Sequence, residues 1–305
     1  MLDRSPGFVA DVDGSAAPTA VGKVQATDAG SGGASGIIVI ERQSGWRAID
    51  FRELWRYREL LYFLVWRDIK VRYKQTVVGA AWAVIQPVCT MVIFSIIFGR
   101  FAKIPSDGVP YPVFVYAGLL PWLFFANSVS QSSLSLVSQS HLLTKVYFPR
   151  LFIPATSIGV GLVDFTLSFG VYVGIMLWYG HLPGISLLLL PSLLLLTALT
   201  AFGAGVSLAS VTVAYRDFRI AVPFMVHVWL YLSPVVYPVT LIPEQYRWIM
   251  VFNPMTGVIG GFRSVLLNQP IDWAALSASV FITLTILAVG VWNFRRTERR
   301  FADIA

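Results

Sequence analysis

Residues 185–213 read ISLLLLPSLLLLTALTAFGAGVSLASVTV and contain no Asp, Glu, Lys or Arg. An α-helix rises about 1.5 Å per residue, so about 20 residues cross the roughly 30 Å of hydrocarbon in a bilayer. This stretch is longer than one crossing requires, which indicates a tilted helix or one that extends beyond the membrane. It predicts a membrane-spanning helix.

Similar apolar stretches recur along the chain, and together they predict six spans with an all-α fold. The predicted spans are residues 77–98, 112–134, 151–179, 185–213, 220–241 and 274–294. Residues 243–270 are moderately apolar but interrupted by Pro and Gly. We expect short re-entrant helices there, because irregular backbone is tolerated in a membrane only against protein or water.

The composition agrees with a membrane protein. The chain has 305 residues, of which 56% are hydrophobic and 13% charged, and its mean hydropathy is +0.69. Soluble domains carry about 25% charged residues. Cys89 is the only cysteine, which excludes a disulfide within the chain and a cysteine-based metal cluster.

The Lys and Arg residues indicate the orientation of the spans. If there are six, both termini lie on one side, and that side holds all but four of the 23 Lys and Arg residues. The four on the other side are Arg100, Lys103, Arg247 and Arg263. Basic loops stay in the cytoplasm, so we expect both termini inside the cell. Topology therefore accounts for the net charge of +7, and nucleic acid is not an expected partner.

The residues before the first span divide into two segments. Residues 1–45 have no sustained apolar run and are predicted to be a disordered tail. Residues 46–76 are predicted to hold a cytoplasmic amphipathic helix in the membrane interface, with Tyr57, Leu61 and Leu64 on its apolar face. Residues 295–305 form a basic C-terminus.

Several motifs follow one another in a recognisable order. They are the stretch WRDIKVRYKQTVVG at 66–79 with Trp82 and Gln86-Pro87 after it, GLLPWLFF at 118–125, LLTKVYFPR at 142–150 with Pro154, Tyr215-Arg216-Asp217, and Asn253-Pro254. In this order the chain resembles the ABC-2 type permeases that export polysaccharides such as O-antigen and teichoic acid. The resemblance covers roughly residues 50–295.

The resemblance implies a transmembrane subunit in the bacterial inner membrane. It implies a partnership with a second copy of the chain and with two copies of a separate ABC ATPase, and a lipid-linked polysaccharide as substrate. The sequence contains no Gly-x-x-x-x-Gly-Lys-Ser/Thr loop, so ATP and Mg²⁺ are expected on the partner ATPase and no cofactor is expected on this chain. The chain is therefore predicted to be a transporter subunit rather than an enzyme.

The basic loop before the third span is predicted to contact the ATPase. In the resembling family this loop and the preceding interface helix make that contact. The loop residues are Leu142, Leu143, Lys145, Val146, Tyr147, Phe148, Pro149 and Arg150. Those at the end of the interface helix, leading to the first span, are Arg67, Asp68, Lys70, Arg72 and Tyr73. The alternative is that the loop packs against the chain's own interface helix.

The path of the polymer is predicted from the resemblance, which places it between spans one and five of the two copies. An aromatic lining suits a long sugar chain that must bind weakly at many points. The candidate lining residues are Trp82, Gln86, Pro87, Tyr116, Trp122, Phe125, Asp164, Trp229, Tyr231 and Tyr237. Asn253 and Pro254 are the candidate external gate.

Asp164 leaves two interpretations open, because a carboxylate inside a span must face water or a polar partner. It lines the conduit, or it bonds to a neighbouring helix. Two other functions compete with polysaccharide export. One is a type-2 ABC exporter of a lipid or drug, and the other is an ion-coupled secondary transporter, which predicts several intramembrane charges and repeated halves.

Overall fold

The computed structural model describes residues 55–74, 77–139, 148–181, 184–215 and 217–298. The predicted disordered tail and most of the predicted ATPase-contacting loop lie outside these residues. Within the described ranges the secondary structure is helical, with no strand.

Nine α-helices follow one another along the described ranges. They are α1 (Arg58–Lys74), α2 (Val77–Phe94), α3 (Tyr111–Ser138), α4 (Phe152–Trp178), α5 (Leu190–Ala214), α6 (Phe218–Leu232), α7 (Glu244–Val251), α8 (Pro254–Leu266) and α9 (Trp273–Glu298). A π-helix, Ser95–Phe101, continues α2, and a 3-10 turn, Ile185–Leu189, precedes α5.

Five helices are long and apolar enough to cross a membrane. They are Ala81–Phe101, Tyr111–Ser138, Phe152–Trp178, Ile185–Ala214 and Trp273–Glu298. A sixth crossing is possible if the bent pair α7 and α8, which meet at 102°, is one broken span. The chain is thus a multi-pass membrane protein.

The predicted fifth span is shorter than expected. We predicted residues 220–241, but α6 ends at Leu232 after 15 residues. The sequence explains the difference, because Ser233 precedes Pro234 and a residue before proline is disfavoured in helical geometry. Non-helical chain and a 3-10 turn, Val239–Leu241, follow.

The helix α3 is the centre of the bundle. It packs against α2, α4, α5, α6 and α8. In the most apolar 18-residue stretch of α3, 83% of the residues are buried. In the corresponding stretch of the first span, 11% are buried. The first span is therefore peripheral, and most of its apolar surface faces outward.

One end of the bundle has a core of its own. We call the end at which α3 and α9 finish, and at which α4 begins, the basic end. There Leu64 of α1 packs in one buried cluster with Phe148, Phe152 and Phe294, so the first described helix, the start of α4 and the end of α9 share one core. Tyr57 and Leu61 pack against the same cluster, on the face that the sequence predicted to be apolar.

Small residues allow α5 and α9 to approach closely. A methyl group added to Gly203 would lie 2.8 Å from the Cα of Leu287. Close backbone contact of this kind replaces the hydrophobic effect as a source of helix association in lipid. Nearby, the hydroxyls of Thr200 and Thr283 are 2.7 Å apart and join the same two helices.

We predict that Gly203→Ala destabilises the protein by about 1–3 kcal/mol, because the added methyl overpacks a contact with backbone that cannot yield. The free energy of unfolding, measured by SDS titration from bicelles, tests this. Gly170→Ala is the matched control, since a methyl there meets nothing within 4 Å. Equal stability changes in the two variants would contradict the assigned contact.

Candidate functional site

The structure brings Arg72, Tyr73 and Asp164 together. Asp164 lies on α4 and is 8% exposed. Its Oδ2 is 3.0 Å from Nη2 of Arg72, and its Oδ1 accepts a hydrogen bond from the Tyr73 hydroxyl. A carboxylate within a membrane-spanning helix is costly unless it is paired. The last turn of α1 supplies both partners, so this site joins α1 to α4.

Tyr73 lies on α1, which is not one of the spanning helices. Burial raises the pKa of its phenol well above the usual range, and the hydrogen bond to Asp164 raises the pKa further. The phenol therefore remains a hydrogen-bond donor to the carboxylate throughout the physiological pH range.

A small cavity adjoins this site, and most of its lining is apolar. Its volume is about 30 Å³, and its polar lining residues are Arg72, Gln86, Asn127, Asp164 and Ser168. A site needs roughly 10–15 Å³ to hold one water. The cavity is therefore large enough for one or two waters and too small for a sugar ring.

The proline of the first span lies beside this cavity. Pro87 has no N–H, so the carbonyl of Ala83, four residues earlier, lacks its usual helical partner. The Ser168 hydroxyl on α4 donates to this carbonyl over 3.2 Å. In addition, the Thr90 hydroxyl donates to the carbonyl of Gln86 over 2.8 Å. Side chains thus satisfy the backbone where the proline interrupts the ladder.

The described part of the predicted ATPase-contacting loop is anchored within the chain. Phe148 is 7% exposed and lies in the cluster with Leu64. Nη1 of Arg150 donates to the carbonyl of Glu298 over 2.6 Å. Phe148 thus packs against the interface helix, as in the alternative interpretation, whereas Arg150 bonds to the end of α9. Leu142, Leu143, Lys145, Val146 and Tyr147 lie outside the described residues.

The residues of α1 that were predicted to contact the ATPase divide between two roles. Arg67 donates to the Gln139 side chain over 3.0 Å and so ties α1 to the end of α3. It also pairs with Asp68 at 2.8 Å. Lys70 is exposed, and its ammonium lies 5.3 Å from the centre of the Trp66 ring.

Three of the predicted conduit residues belong to the core of the protomer. The exposed fractions are 0% for Tyr116, 3% for Trp122 and 0% for Phe125. In this structure the three rings pack inside the protomer and do not face a path along its surface. The motif around residue 122 is a packing motif of α3.

The other predicted lining residues differ in exposure. Trp82 is 55% exposed and Tyr231 is 60% exposed, while Tyr237 is half-buried. Trp229 is half-buried, its ring packs edge-on against Phe125, and its indole N–H donates to Asn253. Pro87 is buried and Gln86 half-buried beside the small cavity. We call Trp82, Tyr231 and Tyr237 the aromatic surface.

Asn253, one of the two candidate gate residues, connects three elements. Its Oδ1 caps α8 by accepting from the backbone N–H of Met255 over 3.0 Å. The same oxygen accepts from Trp229 over 3.1 Å, and Nδ2 donates to the Ser233 hydroxyl over 2.9 Å. Pro254 is buried as the first residue of α8. This asparagine therefore fixes the end of α6 to the start of α8.

The sequence singles out Arg72, Tyr73 and Asp164 but does not predict that they meet. It places Arg263 among the basic residues of the sparsely charged side and assigns it no role, although this arginine is 6% exposed. A basic residue on that side, within a Gly-rich apolar segment, is the signal that could have identified it. Across the described ranges, no group of three or more His, Cys, Asp and Glu is placed to hold a metal ion.

Comparison with protein families gives one match that spans most of this architecture. Residues 59–267 match the family described as ABC-2 type transporter. The matched residues are more than half of the chain and run from α1 to the end of α8.

Individual relatives are similar over nearly their whole length. The chain is 28% identical over 247 residues to the O-antigen export system permease protein RfbA of Klebsiella pneumoniae, which covers 81% of this chain and 95% of the relative. It is 29% identical over 256 residues to RfbA of Myxococcus xanthus, covering 83% and 97%. It is 25% identical over 239 residues to the polysialic acid transport protein KpsM of Escherichia coli, covering 76% and 91%.

We predict energetic coupling between Arg72 and Asp164. Arg72→Gln and Asp164→Asn should each destabilise the protein, because each leaves a partly buried charge without its main partner. The double variant should lose less stability than the two single losses combined, with a coupling energy of about 1–3 kcal/mol. The free energies of unfolding of the four proteins measure this coupling.

Asp68→Asn is the control for this comparison of single and double variants, since the Arg67–Asp68 pair is more exposed than the Arg72–Asp164 pair. It should change the free energy of unfolding by no more than about 1 kcal/mol. Strict additivity of Arg72→Gln and Asp164→Asn would contradict the ion pair.

Proposed function

The chain belongs to the ABC-2 type transporter family, and from that premise we propose that it is the transmembrane permease subunit of an exporter that moves a lipid-linked polysaccharide out of the cytoplasm. The observation that carries the proposal is the similarity, over more than 90% of their length, to permeases named for O-antigen export and polysialic acid transport. O-antigen or a related polymer is the proposed substrate.

The energy comes from a separate ATPase in this proposal. The sequence has no phosphate-binding loop of the Gly-x-x-x-x-Gly-Lys-Ser/Thr type, so ATP and its Mg²⁺ are assigned to a partner chain. Two copies of that ATPase would serve two copies of the permease. The positive-inside rule places the basic end in the cytoplasm, where the ATPase lies.

The basic end has the connections needed to transmit a movement. The cluster of Leu64, Phe148, Phe152 and Phe294 joins α1, the loop before α4 and α9. Arg150 bonds to the end of α9, and Arg72 bonds to the middle of α4. A displacement of the loop by the ATPase would therefore be carried into three helices together.

The path of the polymer is assigned to a surface that a second copy completes. The first span and α6 leave large apolar side chains outward, among them Ile93, Ile97 and Phe224, which are 51%, 46% and 70% exposed. Of the aromatic surface, Trp82 lies on α2 and lines the cavity beside Asp164, and Tyr231 lies near the end of α6. Exposed rings on two helices suit weak, repeated stacking against a sugar chain.

The ion-coupled alternative has less support. It requires an intramembrane carboxylate that is free to take up an ion or a proton. Asp164 is held by Arg72 and Tyr73, and this geometry favours a structural role. An ABC exporter of lipids or drugs shares the architecture, but the relatives compared above are named for polysaccharides.

We predict that Leu143→Asp and Arg150→Glu impair the complex with the ATPase encoded beside this chain. Leu143→Asp puts a charge where an apolar contact is proposed, and Arg150→Glu breaks the bond to the end of α9. Co-purification and ATP hydrolysis in lipid nanodiscs measure the effect. Arg100→Glu, the same charge reversal at an exposed position of the opposite end, should leave both unchanged.

Failure of the parent chain to bind any ATPase would overturn the proposal. If the complex survives both substitutions and still couples ATP hydrolysis to export, the exporter proposal stands. The proposed role of the loop in binding the ATPase is then wrong.

We predict that Trp82→Ala and Tyr231→Ala lower polymer export severalfold while the complex still assembles and hydrolyses ATP. The reason is that each removes an exposed ring from the aromatic surface. Surface polysaccharide, quantified by immunoblot in cells that depend on this exporter, is the measurement. Phe281→Ala is the control, since Phe281 is 73% exposed on α9 and outside that surface. Equal export by all three variants would contradict the assigned path.

A further inference from the structure

Arg263 is a buried cation in the half of the bundle where basic residues are scarce. It lies on α8 and is 6% exposed. Of the carboxylates in the described ranges, none lies within 4.0 Å of its guanidinium. Asp107 attracts the guanidinium only at longer range. Burying a charge without a carboxylate in contact is costly, so a residue of this kind in a membrane protein calls for a function.

The guanidinium instead bonds to backbone carbonyls. Nη2 donates to the carbonyl of Val235 over 2.6 Å, and Nη1 donates to the carbonyl of Tyr237 over 3.2 Å. The same group lies 3.7 Å from the centre of the Phe114 ring, close enough for a cation–π contact.

The carbonyl between these two is also held by a side chain. The Tyr111 hydroxyl donates to the carbonyl of Val236 over 2.7 Å. Three consecutive carbonyls, at residues 235–237, are therefore bound by donors from α3 and α8.

We call residues 233–237 the outer segment. It follows the end of α6 and is buried, with exposed fractions of 0% for Ser233, 0% for Val235 and 3% for Val236. Pro234 and Pro238 lack an N–H, so a regular helix cannot supply the missing bonds. Non-helical backbone at this depth persists only if protein groups satisfy it.

From these contacts we infer that Arg263 is a positioning residue that holds the outer segment closed against α3. By fixing the carbonyl of Tyr237 it also orients this residue, whose hydroxyl donates to the carbonyl of Tyr231 over 3.2 Å. Arg263 thereby sets the end of the aromatic surface. The consequence for polymer export rests on the proposed function, whereas the positioning itself does not.

An arginine is required by the geometry. Its planar fork reaches two carbonyls at once, whereas a lysine ammonium is a single point charge. Space for the fork is provided on α3 by Gly118. A methyl group added there would lie 2.9 Å from Nη2 of Arg263 and 3.1 Å from the carbonyl oxygen of Val235.

The test measures how accessible the outer segment is to a thiol reagent. In the Cys89→Ser background the chain has no other cysteine, and Val236→Cys then adds a single buried thiol. The full chain in native membrane vesicles is treated with a water-soluble maleimide, and the rate of labelling is recorded. With Arg263 present, we expect slow labelling.

Arg263→Gln should raise the labelling rate about tenfold or more, a factor typical of losing a hydrogen bond to a charged group. Arg263→Lys should raise it less. Gly118→Ala should raise it too, because the methyl displaces the guanidinium without removing it. This second route keeps the test decisive if Arg263→Gln fails to fold. Gly174→Ala, where a methyl meets nothing within 4 Å, is the matched control and should leave the rate unchanged.

A thiol in the separate core of the basic end reports on general unfolding. Ala209→Cys replaces a residue that is 0% exposed, and this thiol should stay protected in every variant. Parent-level labelling of the Cys at 236 in both Arg263→Gln and Gly118→Ala would overturn the inference. Equal exposure of the Cys at 209 would overturn it as well.

Export is measured in the same variants. A variant that exposes the outer segment but exports normally would confirm the positioning by Arg263 and overturn its part in transport. If the parent chain keeps the outer segment closed but does not export polymer, the proposed function is contradicted. The positioning role of Arg263 is unaffected by that result.

Discussion

The fold depends on one constraint: no backbone N–H or C=O can be left without a partner inside the hydrocarbon. Long helices meet it without help. At two of the places where proline interrupts the helical pattern, side chains from other helices take over. Ser168 donates to the carbonyl of Ala83 beside Pro87, and Arg263 with Tyr111 serves the carbonyls of the outer segment. These polar side chains lie where the backbone is broken, which explains their presence in an apolar bundle.

Charged side chains join the helices at the basic end and in the middle of α4. Arg72 reaches Asp164 on α4, Arg67 reaches Gln139 at the end of α3, and Arg150 reaches the last carbonyl of α9. Each contact joins segments far apart in sequence. Together with the shared core around Leu64, they make α1 part of the bundle instead of a separate appendage. A displacement at this end would therefore reach three helices through bonded contacts.

Hydropathy was sufficient to predict the helical fold and most of the spans, because exclusion of charge from a bilayer is a property of single residues. It failed at Leu232, where the dipeptide Ser233-Pro234 ends a helix inside an apolar run. Nothing in the spacing of Tyr116 separates a core ring from a lining one, and its burial in the protomer had to come from the structure. Asp164 was identified as unusual, but its partner Arg72 is distant in sequence and only packing brings them together. Composition and periodicity could not predict which side chains from different helices contact one another.

The close packing of side chains inside the protomer limits where a polymer can pass. In the apolar stretch of the central helix α3, 83% of the residues are buried. The cavity beside Asp164 has room for no more than one or two waters. The middle of the described bundle is therefore filled with side chains. By contrast, only 11% of the residues in the apolar stretch of the first span are buried, and its apolar face is directed outward. A sugar chain cannot cross exposed to lipid tails, because its hydroxyls would lose their hydrogen bonds. The path along an outer face that we propose therefore needs a second copy of the chain to cover it.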